Sequence, residues 1–304
     1  MLIAGCNGAQ PSLGLPPSTS QFHASRTNDR PALQSLLYVS DLATGSVYVR
    51  ALPKGNLVGT LSGFGEPEGM CADRKGDVFI TDYEIGVIRE YAHGGQNPIA
   101  MLNDTGFHPY DCSVDPVTGD LAVTNLTDEG NRIRGILATY AKAQGAARYR
   151  YDRGIGFAYC SYDDKGDLFL DGVGPPPNAP AYAELRRGAS TFTTITVAQT
   201  ITSPGGIRWD GKYFSVGERA ANVVYRIKIV GSRGIEAGAT TLAGSNEIGP
   251  LWIAGSTIYV PQYTSKENQA EVRFYHYPAG GKALNTLFGF SVPGGVTVSA
   301  ASAQ

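Results

Sequence analysis

Helical periodicity is missing from this chain of 304 residues. No long window carries apolar residues at spacings of three and four. The nearest candidate, Ile136 to Arg148, is interrupted by Gly145 and is too short to carry a domain. No internal segment approaches eighteen consecutive apolar residues, so there is no candidate for a membrane-spanning helix. An excess of one charge is lacking too: 25 Lys and Arg stand against 27 Asp and Glu, a net charge of -2. Basic residues are scattered apart from Arg148, Arg150 and Arg153, so a nucleic-acid partner is not expected. Four histidines form no adjacent metal-binding pair. There is no nucleophile elbow and no glycine-rich phosphate loop leading from a strand into a helix. The four cysteines fit no zinc spacing, so no residue is assigned as a metal ligand, and the cofactor is left unknown.

What is abundant is turn chemistry: 39 Gly and 18 Pro, with 17 Tyr and a charged fraction of only 17%. That mixture describes many short strands with tight turns and aromatic or branched side chains between sheets. One motif recurs six times. Leu37-Tyr38-Val39-Ser40-Asp41 aligns with Val78-Phe79-Ile80-Thr81-Asp82 and Leu121-Ala122-Val123-Thr124-Asn125. Leu168 to Gly172, Tyr213 to Gly217 and Ile258 to Gln262 complete the set, each 41 to 47 residues after the last. Such a period suits a four-stranded propeller blade. The fold predicted is all-β: a six-bladed β-propeller of four-stranded antiparallel blades over residues 35–304. Pro293 to Val298 repeats the start of a blade and then stops, whereas the copy at Leu37 has no first strand ahead of it. Pairing of these N- and C-terminal strands would close the ring and remove its open edges.

Within the second copy, Gly69 to Ala72 would be innermost, with Asp73 to Asp77 as a hairpin turn. Similar acidic turns at Asp115 to Asp120, Asp163 to Asp167 and Asp210 to Lys212 lack the ligand run of a calcium loop and read as turn chemistry. Cys71, Cys112 and Cys160 fall at one position of three successive copies. Equivalent side chains on neighbouring blades point in one rotational direction, so they are expected to be separate buried thiols rather than a disulfide.

The loops at one end of the channel supply the candidate site. The residues singled out there are Glu68, His108, Tyr110, Asp111, Tyr159, Arg208 and Trp252, with Glu66 and Glu247 in the same loops. Glu68 and Asp111 are the available carboxylates and His108 a possible ligand or base. Yet the positions matching Glu68 are Tyr110, Tyr159, Gly205, Pro250 and Gly294, a set that suits a packed or sugar-facing rim better than a metal cage.

At the start, Leu2-Ile3-Ala4-Gly5-Cys6 resembles the lipobox of bacterial lipoproteins. That resemblance implies lipidation at Cys6, residues 1–6 being a truncated signal remnant. It also implies placement in the cell envelope or outside the cell, with the lipid as the sole membrane contact. Residues 7–34, rich in Pro, Ser and Thr, are expected to be a flexible linker. The Pro-x-Gly step ahead of an apolar strand, followed by Asp-x-x-Gly-Asp, resembles NHL-repeat and SMP-30-like propellers. Segments such as Pro204 to Tyr213, Tyr162 to Phe169 and Tyr277-Pro278-Ala279-Gly280-Gly281 resemble uncharacterised secreted bacterial propeller proteins. The SMP-30-like group implies a divalent metal held by Glu, Asn and Asp, to which this chain could offer only Glu68 and Asp111. Two readings stay open. One is an extracytoplasmic binding or scaffolding module for a glycan, peptide or envelope protein. The other is a metal-dependent hydrolase, lactonase or lyase acting at the channel.

Overall fold

Alternating apolar residues in each repeat form strands that pack face to face, and the described residues hold twenty-five strands. The computed structural model describes residues 34–300 other than 131, 176–178, 199–200, 246 and 265–268. Cys6 and nearly all of the expected linker lie outside the described residues. The first sheet holds β1 (Leu36–Asp41), β2 (Ser46–Ala51) and β3 (Asn56–Ser62). The second holds β4 (Pro67–Ala72), β5 (Val78–Asp82), β6 (Val87–Tyr91) and β7 (Pro98–Asn103). The third holds β8 (Phe107–Val114), β9 (Leu121–Asp128), β10 (Ile133–Tyr140) and β11 (Arg148–Asp152). Next come β12 (Gly156–Tyr162), β13 (Leu168–Val173), β14 (Pro180–Leu185) and β15 (Thr193–Val197). They are followed by β16 (Pro204–Trp209), β17 (Phe214–Glu218), β18 (Val223–Val230) and β19 (Arg233–Ala243). The last group is β20 (Trp252–Ala254), β21 (Thr257–Thr264), β22 (Gln269–His276), β23 (Gly281–Lys282), β24 (Asn285–Leu287) and β25 (Pro293–Ser299). β25 runs antiparallel to β1 with Val39 opposite Val296, completing the first sheet from both ends of the described chain.

Six separate four-stranded blades are not what the hydrogen bonds make, and the six-bladed expectation is corrected. Four sheets have four strands each and form propeller blades. The strands from β12 to β19 instead form one continuous sheet in the order β12-β13-β14-β15-β19-β18-β17-β16, with β23 attached to β19. Its end strands β12 and β16 lie against each other, Trp209 donating its backbone N–H to Ser161 Oγ at 2.9 Å, so the sheet is a near-closed barrel. The cause is at the edge of β19 away from β18, which pairs in parallel with β15, the outer strand of the preceding repeat, at Thr196–Arg233 and Val197–Gly234. Gly234 eases this approach, since a Cβ there would sit 3.2 Å from Val197 Cγ2 of β15. Repeat spacing sets strand number but not whether the outer strands of neighbouring repeats meet edge to edge.

The recurring motif has a structural use at its last two positions. The fourth residue rivets its repeat to the next: Ser40, Thr81 and Thr124 donate to the carbonyls of Glu68, Tyr110 and Ala158 at 2.8, 3.1 and 2.6 Å. The fifth clasps the loop that enters its own innermost strand. Asp41 accepts from the N–H groups of Ser291 and Val292, and Asp82 from those of Gly65 and Glu66. Glu218, one residue later, does the same for Thr202 and Ser203. The Pro-x-Gly step is explained by crowding at the channel. A Cβ on Gly69 would lie 2.6 Å from Asp111 Cα, and one on Gly295 would lie 2.5 Å from the Glu68 carbonyl.

That crowding also overturns the expectation for the cysteines. The innermost strands β4 and β8 converge until Cys71 and Cys112 are 5.6 Å apart at Cα, and the two form a disulfide. Cys160, at the same position of the next repeat, stays a buried free thiol whose pKa burial drives up.

Candidate functional site

The first strands of successive repeats enclose a channel, and a buried ion pair divides it. Arg208 on β16 reaches across to Asp111 on β8, with Nη1 to Oδ2 at 3.1 Å and Nη2 to Oδ1 at 2.9 Å. The same guanidinium donates to the Cys160 carbonyl at 2.7 Å and the Met70 carbonyl at 3.5 Å. Asp111 also accepts the Cys160 N–H at 3.1 Å, so both of its oxygens are engaged. A bidentate, buried pair of this kind acts as a plug.

On one side of the plug, the beginnings of the innermost strands and the loops before them surround a cavity of about 150 Å³. Its working surface is Glu68, Tyr110, Tyr159, Arg219, Glu247 and Tyr263, set among proline residues. Tyr110 and Tyr159 lie with ring centroids 5.3 Å apart and hydroxyls 3.3 Å apart. Arg219 is held at the mouth by Glu247, Nε and Nη2 both 3.1 Å from Oε1. Burial pushes the Glu68 carboxyl from its ordinary 4.5 up to about 8, and the nearby Glu66 and Asp111 carboxylates add to this against the opposing pull of Arg219. Burial first, then Glu68, raises Tyr110 to about 12, and burial first, then Tyr110, raises Tyr159 well above its ordinary value. At neutral pH the inner wall is therefore uncharged and rich in O–H groups.

Of the residues singled out from the sequence, Glu68, Tyr110 and Tyr159 come together here. Asp111 and Arg208 do not face this cavity as free groups but neutralise each other in the plug. Trp252 lies at the other mouth, beside Arg208, whose guanidinium carbon is 5.1 Å from its ring centroid. His108 stands apart, stacked on Tyr83 at 4.7 Å and donating from Nδ1 to the Tyr83 carbonyl at 2.8 Å. Among the described residues no group of three His, Cys, Asp or Glu side chains could hold a metal ion.

Two residues that matter were not found by sequence reasoning. Arg219 follows Glu218 just past the repeated motif, outside the loops searched. Asp171 occupies the rivet position held by Ser40, Thr81 and Thr124 in the first three repeats, and that change to an acid was a visible signal. Its Oδ1 accepts the Tyr159 N–H at 3.2 Å, while Oδ2 is buried and has no partner. Burial raises this carboxyl from 3.8 to about 8, opposed by the Tyr159 N–H, with Asp111 raising it further and Arg208 and Arg219 lowering it. Folding thus retains two protons, on Glu68 and Asp171, that the unfolded chain would release near pH 4. Stability should fall as pH rises from that range through about 8, and then level off for these groups. Glu68→Gln and Asp171→Asn should each shrink this alkaline loss by roughly 2 kcal/mol or more, seen as urea midpoints compared at about pH 5 and pH 9. Equal pH slopes for variants and parent would refute the assignment.

No family model and no curated protein matches the chain. Solved structures do match in fold. The structure titled a nidogen/laminin complex superposes with a TM-score of 0.70 at 14% identity, covering 88% of this chain and 100% of that one. A protein of unknown function from Bacteroides caccae gives 0.65 at 10% identity, covering 88% and 99%. The Swd1 β-propeller domain from Myceliophteria thermophila gives 0.55 at 10% identity, covering 85% of each chain. Identities this low establish a distantly related β-propeller or barrel fold. No helix among the described residues is long and apolar enough to cross a membrane.

Proposed function

We propose that the protein is an extracytoplasmic binding module that takes a neutral, hydroxyl-rich ligand, a glycan, in the cavity over Glu68, Tyr110 and Tyr159. The observation that carries this reading is the charge state of the wall. Arg219 is matched by Glu247, Glu68 holds its proton, and the two tyrosines offer rings and hydroxyls side by side. Such a surface exchanges hydrogen bonds with sugar hydroxyls and gives apolar contact to sugar rings. A free anion gains little from an arginine already paired. Placement outside the cytoplasm is supported by the buried Cys71–Cys112 disulfide and by the lipobox-like sequence ending in Cys6. The finer kinship with NHL-repeat and SMP-30-like propellers belongs to this proposal as well. A metal-dependent hydrolase is not favoured, because Asp111, its second carboxylate, has both oxygens committed to Arg208.

The test is retention on an array of neutral oligosaccharides. Tyr110→Phe combined with Tyr159→Phe removes both hydroxyls while keeping the rings. Retention of at least one oligosaccharide should fall about tenfold or more in the double variant with little change in melting temperature. Retention of none by the parent protein, or equal retention by both, would overturn the reading.

A further inference from the structure

We propose a second sugar subsite outside the cavity, on Tyr83 and His108, so that the ligand is a neutral oligosaccharide chain entering by one end. This rests on the glycan reading above and adds the length and direction of the ligand. The cavity of about 150 Å³ is below the roughly 300 Å³ at which pockets begin to hold drug-sized molecules, so it takes a single sugar ring. Its floor is shut by Arg208 and Asp111. Further sugars of a chain must therefore lie at the mouth.

An aromatic track leads out of that cavity. Tyr159 is buried, whereas Tyr110, Tyr83 and His108 are each half-buried. Tyr159 and Tyr110 line the cavity, and the Tyr110 ring meets Tyr83 edge-on with centroids 6.4 Å apart. Tyr83 in turn stacks on His108 at 4.7 Å, the ring planes 25° apart. Three polar contacts fix Tyr83. Its N–H donates to the Glu66 carbonyl at 2.9 Å, its carbonyl accepts from His108, and its hydroxyl shares a hydrogen bond of 2.8 Å with Thr127 Oγ1. A side chain held in this way loses little freedom when a ligand settles on it.

His108 supplies the polar end of the track. Its Nδ1 faces a carbonyl and so carries the proton of the neutral ring, which leaves Nε2 with a lone pair. Nε2 has no partner among the described residues and is open to water. It can accept from a sugar hydroxyl while the rings give apolar contact. The charged residues joined to Tyr83, through the Glu66 carbonyl and the next position in the chain, are both acids, and Glu84 is exposed. An anionic chain is therefore disfavoured.

Isothermal titration of the full chain with mono- to hexasaccharides of glucose, N-acetylglucosamine, mannose and xylose tests this. For at least one of these sugars, affinity should rise about tenfold or more from the monosaccharide to the trisaccharide and then level off. That length dependence is a test in the parent protein alone. Tyr83→Ala removes the platform, and His108→Phe keeps a ring there but removes Nε2. Each should bring the trisaccharide down toward the affinity of the monosaccharide, with circular dichroism confirming the fold. Affinity independent of length, or a gain with length that both folded variants keep, overturns the outer subsite and leaves the cavity reading standing. Binding of none of these sugars by the parent overturns both.

Discussion

Asp111→Ala should cost about 3–5 kcal/mol of folding stability, because it leaves the Arg208 guanidinium buried without its counter-charge. Arg208 is 7% exposed and Asp111 0%, so water cannot replace the lost partner. Arg208→Met should also destabilise, since it leaves Asp111 buried with the Cys160 N–H but without its counter-charge. The informative variant carries both changes. If the two groups matter chiefly to each other, the double variant will be less destabilised than the sum of the singles by at least about 2 kcal/mol. Urea unfolding monitored by circular dichroism gives all four values. Additive losses would mean that the two side chains act independently, and the division of the channel would have to be ascribed to the backbone.

Loss of the Cys71–Cys112 bridge should have a comparable effect. It closes a loop with a sequence separation of 41 residues. Chain entropy alone makes such a crosslink worth about 4 kcal/mol, and strain or residual unfolded structure reduces that. Cys71→Ala with Cys112→Ala should accordingly lower the melting temperature by roughly ten degrees. Both sulfurs are buried, so dithiothreitol should act on the unfolding protein and leave the native fold untouched at moderate temperature. Denaturation in an alkylating reagent blocks the free thiols, and a mass gain of two hydrogens on reduction after the reagent is removed establishes the bridge. Three alkylated cysteines among Cys71, Cys112 and Cys160 without any reductant would show that it does not form.

How much of this was legible in the residues can be traced position by position. The repeated Ser, Thr and Asp were visible, and so were the Pro-x-Gly steps and the acidic hairpins. Asp73 accepts from the N–H groups of Lys75 and Asp77, and Asp163 from those of Lys165 and Asp167, as turn chemistry requires. Strand order within a repeat follows from local signals of this kind. The parallel pairing of β15 with β19 does not, because it depends on how closely the outer strands of two neighbouring repeats approach. The disulfide was misjudged for a related reason. Rotational equivalence describes directions, but convergence of the innermost strands on the channel brings equivalent Cα atoms together.

The site was half legible. Tyrosines aligned with Glu68 pointed to a rim that a sugar could face, and those three residues do line one cavity. The pairing of Asp111 with Arg208 was hidden, since the partners are 97 residues apart and meet across the channel. Arg219 was hidden as well, being on the far side of a strand from the loops that looked functional. Asp171 was visible as an acid in a hydroxyl position, and its meaning emerged only when its neighbours were shown to rivet one repeat to the next.

The most direct measurement is the carbon-13 NMR titration of glutamate side chains, with Glu68→Gln identifying the Glu68 signal. A neutral donor wall requires that signal to titrate near 8, as burial beside Glu66 and Asp111 dictates. A midpoint near 4.5 would mean that the cavity presents a free carboxylate at neutral pH, and the glycan reading would lose its footing.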